Sequence, residues 1–507
     1  MILDKEAREK LKKGVAKLKS AVEVTLGPCG HNVIVYNNAG TPYATKDGIS
    51  VAKKIFSKDE YENAGINIVR EASLKTAELA GDGTTTTCIL ADYMIQNGDK
   101  NITPQYIHDM QEALKYIVEE IKMRKIDISN NYEMLAKVAT ISAKSEEIGS
   151  LVASAFEEAG EEGTVLFEES DTTETYLEQS EGTIIDRGYA DSSFITRQDK
   201  RTAEYKRPYF ILVDDRIDKL SKIEKMLSTC ITHTRDVVIF AHDYSCEVLR
   251  LLAANHRRGV IRILPIKAEG VGNGKGEFIK DIAALVGATQ TSEDIYFGGE
   301  CVNIISTDVS TVITVADLET PKFQERITNL KGLIDNENDP HLKRFYQKRL
   351  AKLVGKLCTI RVGGYTPADV KERYDRVEDA VCAAKSALAE GVVPGGGILF
   401  YRLADKLRFE DSIMFHPGYQ LVLDAIQQPI EVLAKNSGYK VGKWHKLEGY
   451  QSIDFSSGDS TPVDAIERGI LDPAKVLRVS LEHAVAVAIL ILNTKCVIEP
   501  NENIIQY

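Results

Sequence analysis

The 507-residue chain has no excess of basic charge: 63 lysines and arginines stand against 75 acidic residues, a net charge of −12. Phosphate backbones need a basic surface, so nucleic acid is not expected as the main partner. The eight cysteines, at 29, 88, 230, 246, 301, 358, 382 and 496, form no CxxC pair and have no nearby His-x₃₋₅-His. That excludes a zinc-finger framework and a disulfide scaffold, and points to a reducing cytoplasm. No secretory h-region follows Met1-Ile2-Leu3-Asp4-Lys5-Glu6. The longest apolar run, Ala484 to Leu492, is too short to cross a membrane and reads as a buried helix. A P-loop is lacking too. Gly270 to Gly276 is glycine-rich and carries Lys275, but it has neither the Ser/Thr after lysine nor the spacing, and reads as a surface loop.

What is present is concentrated in Gly81-Asp82-Gly83-Thr84-Thr85-Thr86-Thr87. The residues after it, Cys88 to Ile95, read as a helix that stops near Gly98. The glycines and threonines therefore sit at a helix N-terminus, where unpaired N–H groups and the dipole favour an anion. Glycine admits a phosphate close to the main chain, and threonine hydroxyls add donors. Asp82 would repel a bare phosphate but suits a Mg²⁺ that bridges it to phosphate oxygens. A plain N-cap with a polar first turn has the same pattern, and context decides between them.

The length suggests about three domains. Residues 4–24 form a helix with Leu11, Val15, Leu18 and Val22 on one stripe. A strand at 31–36, a turn and a second short strand lead into Thr45-Lys46-Asp47-Gly48, and helices follow at 60–80, 84–97 and 104–124. From about 183 the pattern changes. Apolar runs at 209–213, 237–241 and 260–264 alternate with helices at 219–230 and 245–256, which predicts a parallel sheet with crossover helices. Residues 318–354 read as charged and helical. Thr366-Pro367 opens another helix that runs to Glu390, before a second glycine-rich helix start at Gly391 to Gly397.

These pieces agree in order and spacing with one family. The chain resembles a group I (bacterial-type, 60 kDa) chaperonin through Thr25-Leu26-Gly27-Pro28, Thr45-Lys46-Asp47-Gly48, Gly81 to Thr86, Thr140-Ile141-Ser142, Asp186-Arg187-Gly188-Tyr189, Arg376-Val377-Glu378-Asp379-Ala380, Gly391 to Gly397 and Gly469-Ile470-Leu471-Asp472-Pro473. The resemblance implies a multidomain α/β chaperonin fold. A mostly helical equatorial ATP-binding domain would comprise 1–125 and 390–507. A small α/β intermediate hinge domain would comprise 126–182 and 357–389, with hinge glycines at Gly182 and Gly355. An α/β apical domain with a parallel-sheet core would span 183–356 and bind substrate. It also implies an ATPase that assembles as a heptameric ring, one or two rings deep, binds non-native polypeptides and folds them in a chamber. In the family, a strand like Cys496-Val497-Ile498 joins a neighbour's 33–46 hairpin. A ring scaffold with a vestigial ATPase is the alternative.

Residue by residue, the resemblance implies that Thr25, Leu26, Gly27 and Pro28 wrap the phosphate side, with Lys46 nearby. Gly83, Thr84, Thr85 and Thr86 donate to phosphoryl oxygens. Asp82 ligates Mg²⁺, and K⁺ is a further candidate ion. Gly396 and Asp472 meet the ribose, Ile470 packs on adenine, and Gln451 stands where a base contact is expected. Asp379 orients the attacking water with help from Asp47. Client polypeptide would meet Tyr189, Phe194, Leu227, Leu249 and Leu252.

The sequence also departs from the family. Gln451-Ser452-Ile453 replaces Asn-Ala-Ala, and Ser193, Cys230, Ala253 and Ala254 replace larger apolar residues. At about 25 cal/mol per Å², each lost side chain weakens capture by roughly 1–2 kcal/mol. The same surface receives the lid co-chaperonin in the family, so little dependence on a separate lid is expected. The departures suit a divergent, phage-encoded copy acting in its host's cytoplasm.

Overall fold

In the computed structural model, the described residues are 2–36, 40–98, 102–160, 164–170, 172–233, 236–270, 272–337, 339–408, 416–439, 447, 449–457 and 461–498. They divide into two compact units. One comprises Met1–Ser154 with Thr366–Tyr507, the other Ala155–Tyr365. The division falls at 154/155 and 365/366, so each segment expected for the intermediate domain is shared between the units. Gly182 and Gly355 both lie inside the second unit.

The first unit is helical. The helix Asp4–Val22 buries Leu11, Val15, Leu18 and Val22, the stripe expected from a 3.6-residue period. They share one core with residues of Glu60–Ala80, Thr84–Asn97, Pro104–Arg124 and Ala474–Leu492. The last is the apolar run of the sequence, folded as a buried helix. Short two-stranded ribbons complete the unit. Val33–Tyr36 pairs with Pro42–Thr45, Val392–Pro394 pairs with Leu471–Pro473, and Gln451–Ile453 pairs with Pro462–Asp464. Cys496–Val497 pairs with Ile2–Leu3 of its own chain, so the expected edge strand already has one intrachain partner.

The second unit has two sheets. In the five-stranded sheet Tyr209–Ile217, Asp236–Tyr244 and Arg262–Lys267 run parallel, and Ile295–Gly298 and Thr289–Ser292 extend it antiparallel. The crossover helices are Glu224–His233 and Cys246–Arg257. This is the expected parallel core, with its third strand starting two residues late. A six-stranded mixed sheet, in the order Thr164–Glu169, Lys356–Val362, Tyr176–Ile185, Thr311–Val315, Asn303–Ser306, Ala203–Lys206, had no counterpart in the sequence pattern. The charged stretch 318–354 is two helices, Pro321–Asn336 and Pro340–Val354. Asp339 caps the second by accepting from the His341 N–H.

The client surface needs correction. Phe194, Leu252 and Leu227 are 0%, 1% and 9% exposed and belong to the core beneath the parallel sheet. Helix geometry explains it: Val248 and Leu252, one turn apart, both face inward, while Leu251 between them points out. Tyr189 and Leu249 are half-buried against the cores. Ile231, Leu251 and Val260 are exposed apolar side chains on or just after the two crossover helices.

Candidate nucleotide site

Two glycines make the local chain path possible. Gly81 ends the helix Glu60–Ala80 in the left-handed region (φ 75°), and a Cβ there would lie 2.3 Å from Cys382 Cβ. That close approach seats the helix Pro367–Glu390, and with it Asp379, beside Asp82. Gly83, at φ 97°, caps Thr84–Asn97, and a Cβ there would strike Ser480 Oγ at 2.3 Å. Asp82 lies between them, solvent-exposed, with Oδ1 accepting from the Gly83 N–H at 2.6 Å.

A second loop closes on the same point. Gly48 packs so tightly on Thr85 that a Cβ would lie 2.4 Å from Thr85 Oγ1 and 3.7 Å from Thr25 Oγ1. This brings Lys46 and Asp47 to the threonine run. Asp47 caps the short helix Gly48–Lys54, its carboxylate accepting from Ile49 N at 2.9 Å and Ser50 N at 2.8 Å. The loop at Thr25 is fixed from behind. Thr25 Oγ1 donates to Val22 O, and Asn436 Nδ2 donates to the carbonyls of Glu23 and Leu26. Leu26 packs on the cluster around Ile430 and Leu433, and Gly27 turns the chain at φ 83° ahead of Pro28.

The third wall comes from the ribbon in which Val393 faces Asp472. Gly396 N donates to Asp472 Oδ2 at 3.1 Å. A Cβ on Gly396 would have only Ser452 Oγ at 3.5 Å and Ile470 Cγ2 at 3.7 Å as its nearest side-chain neighbours, so space is left beside them. Gln451 is not part of this group. It is exposed, and strand alternation puts it on the face opposite Ser452. Ser452 is the residue that meets Gly396, so the base-side expectation moves by one position.

The electrostatics are those of crowded carboxylates. Asp379 is pushed up to about 8, first by burial, then by Asp82 and Asp47, with Glu378 and Asp375 adding. Burial also raises Asp472 to about 6, with Asp82 contributing. Asp82 itself reaches solvent, yet the protein around it raises its pKa, with Asp47 adding and the Gly83 N–H opposing. Such mutual repulsion is costly without a cation, and perturbed groups cluster where function needs them.

One cation in this group was not anticipated. Lys144 ends the helix Tyr132–Ala143 in the left-handed region (φ 53°), which is unusual for lysine. Lys144 reaches solvent, yet the protein crowding around it and Lys46 lower its pKa, while Asp379 and Asp82 raise it. Its signal was available: it stands two residues after Thr140-Ile141-Ser142. The residues at hand fit a magnesium-bound triphosphate. They offer a carboxylate open to solvent, the N–H groups of a helix start, the half-buried Thr85 and Thr86 hydroxyls and two lysines, while the buried Thr84 hydroxyl turns to Ser73 O. Lys46, Asp47, Asp82, the threonines, Lys144, Asp379, Gly396, Ile470 and Asp472 all come from the first unit.

Comparison with known proteins gives the same frame. Two crystal structures of the chaperonin gp146 from bacteriophage EL 2 (Pseudomonas aeruginosa), both in the presence of ATP-BeFx, are similar to nearly the whole chain. Crystal form II has a TM-score of 0.74 at 22% identity and covers 97% of this chain and 98% of that one. Crystal form I has a TM-score of 0.69 at 21% identity and covers 99% of each. The sequence matches the TCP-1/cpn60 chaperonin family over residues 18–502, and the chain belongs to that family.

Proposed function

We propose that the chain is an ATP-driven folding chaperone: it binds non-native polypeptide, hydrolyses ATP, and works as a homo-oligomeric, heptameric ring in the cytoplasm. The observation that carries this reading is the convergence of Asp47, Asp82 and Asp379 with Lys46 and Lys144 at the threonine-rich helix start. A passive scaffold has no use for a carboxylate held near 8 at such a place.

In this reading Thr25 to Pro28, Lys46, the N–H groups at 83–86 and the Thr85 and Thr86 hydroxyls hold the phosphates. Asp472 accepts from the ribose hydroxyls, and Gly396, Ile470 and Ser452 border the nucleoside. Asp82 would hold Mg²⁺, which supplies charge neutralisation at the phosphates. K⁺ is a candidate second ion. Asp379 accepts a proton from water as the water oxygen bonds to the terminal phosphorus and the bond to the ADP oxygen breaks. Asp82 is the largest charge raising Asp379, so whatever neutralises Asp82 also lowers Asp379 and readies it as an acceptor. Asp47, whose carboxylate already carries two backbone N–H groups, orients the loop bearing Lys46. The three-domain division, 1–125 with 390–507, 126–182 with 357–389, and 183–356, would let the Asp379 helix move with closure.

Client would bind at the half-buried Tyr189 and Leu249 together with the exposed Ile231, Leu251 and Val260. So few accessible apolar side chains favour folding without a separate lid co-chaperonin. ATP turnover by the wild type and Asp379→Ala, measured beside capture and release of an unfolded protein, tests the reading. The proposal requires Asp379→Ala to capture client but lose turnover by about 10²-fold or more and lose release. Equal release by both proteins would favour the scaffold. A refolding yield that depends on an added co-chaperonin would remove the lid-independent part.

A further inference from the structure

The threonine run continues past the residues that face the cleft. Thr87 is fully buried, as are Thr76 and Ser480, and the three hydroxyls meet behind the phosphate loop. Thr87 Oγ1 lies 2.9 Å from Gly83 O and 3.1 Å from Thr76 Oγ1. Thr76 Oγ1 lies 2.8 Å from His483 Nδ1 and 3.0 Å from Ala72 O. Ser480 Oγ reaches Gly83 O at 3.4 Å. Valine or alanine would satisfy packing at these depths, and a buried hydroxyl without an acceptor is costly. All three find acceptors, and two of them converge on Gly83 O.

We infer that Thr87 and Ser480, backed by Thr76 and His483, are positioning residues for nucleotide binding: they fix the Gly83–Thr84 peptide and so aim the Thr84 N–H at phosphate. The inference rests on the nucleotide reading above. A trans peptide is planar, so its C=O and N–H point in opposite directions. Gly83 O already accepts the Thr87 N–H at 2.9 Å. Two added hydroxyls hold that oxygen on the inner side, which turns the Thr84 N–H out of the helix end toward the cleft. Glycine has the loosest backbone of any residue, so an external restraint matters most at Gly83. Charge drawn to the carbonyl also strengthens the N–H of the same peptide as a donor.

Each hydroxyl carries one proton. The Thr87 proton goes either to Gly83 O or to Thr76 Oγ1. Thr76 Oγ1 has two acceptor sites, so a hydrogen on His483 Nδ1 fills one, sends the Thr76 proton to Ala72 O, and leaves the other open to Thr87. His483 thus stands at the outer end of a chain of hydrogen bonds that finishes on the phosphate loop.

The test compares Thr87→Val, which keeps shape and removes the hydroxyl, with Thr87→Ser, which keeps the hydroxyl. ATP-Mg affinity by calorimetry and steady-state hydrolysis are measured on the assembled full-length protein. Thr87→Val should weaken ATP affinity and raise KM by about fivefold to tenfold, with kcat changed far less. Thr87→Ser should recover most of the loss. Wild-type affinity in Thr87→Val, or an equal loss in Thr87→Ser, overturns the proposal, since the second would mean packing alone. Should Thr87→Val fail to assemble, Ser480→Ala decides. It deletes one oxygen and should weaken affinity about twofold, and an unchanged value overturns the proposal. Failure of the nucleotide reading is separate, because it would appear as no ATP binding by the wild type.

Discussion

Asp379 and Lys144 carry the site's charge, and each has a measurable consequence. Asp379 has an ordinary value near 3.8 and a folded value of about 8. Between those values the folded chain holds a proton that the unfolded chain releases. Stability therefore falls as pH rises through that window. In nucleotide-free protein, Asp379→Asn should flatten the fall in melting temperature between about pH 5 and pH 8, gaining about 2 °C at the alkaline end and nothing at the acid end. An unchanged slope would mean that the carboxylate is not held up. Lys144 is the cation that Asp82 and Asp379 draw upon. Lys144→Met should bind ATP about tenfold more weakly, a change of roughly 1.4 kcal/mol, and Lys144→Arg should keep most of the affinity. Sequence reasoning gathered Asp47, Asp82, Asp379 and Asp472 because their motifs are short and contiguous. It missed Lys144 and misjudged Gln451 for a physical reason: one depends on a left-handed backbone, the other on which face of a two-residue alternation meets a glycine.

Elements were legible in proportion to how local their signals are. Helices with a stripe, such as Asp4–Val22, or with a cap, such as Pro367–Glu390 with Thr366 accepting from the Asp369 N–H, lie close to where the pattern put them. The six-stranded sheet was not, because strands as distant as Thr164–Glu169 and Lys356–Val362 pair across almost two hundred residues. The interior of the second unit carries an equally non-local device. Asp281 on the helix Asn273–Val286 receives Arg326 Nε and Arg349 Nε, each at 2.8 Å, from the two helices that follow. Both guanidinium groups also reach Glu277. Asp281→Ala leaves two half-buried cations with Glu277 alone to share and should cost about 2–3 kcal/mol in denaturant unfolding. Replacing Asp281, Arg326 and Arg349 together by leucine and methionines should recover much of that. Burial opposes ionisation of Glu277, yet hydrogen bonds from Lys280 and Arg326 hold it down at about 2. Its contribution is present above its ordinary value near 4.5 and is lost as pH falls toward 2, so Glu277→Gln should lessen the loss of stability over that interval.

At the scale of the whole molecule the question is what completes the sheet edges. Isolated two-stranded ribbons are marginal and their edges seek partners. The pair Ile2–Leu3 with Cys496–Val497 and the pair Val33–Tyr36 with Pro42–Thr45 are both of this kind. In the second ribbon Val35 is buried, while Ile34 and Tyr36 are 69% and 61% exposed. Leu3 and Ile498 are exposed beside the first. Exposed apolar residues alternating along a strand of an isolated ribbon are expensive in a lone subunit and ordinary in an assembly of identical copies, where one chain's ribbon can meet the next chain's. A closed ring, as proposed above, leaves no copy unpaired. Ile34→Lys with Tyr36→Lys changes only exposed side chains, so the subunit should keep its circular dichroism spectrum. It should sediment as a single subunit where the wild type sediments as a ring, and it should lose client refolding. If the double variant sediments with the wild type, these strands do not form the contact between subunits.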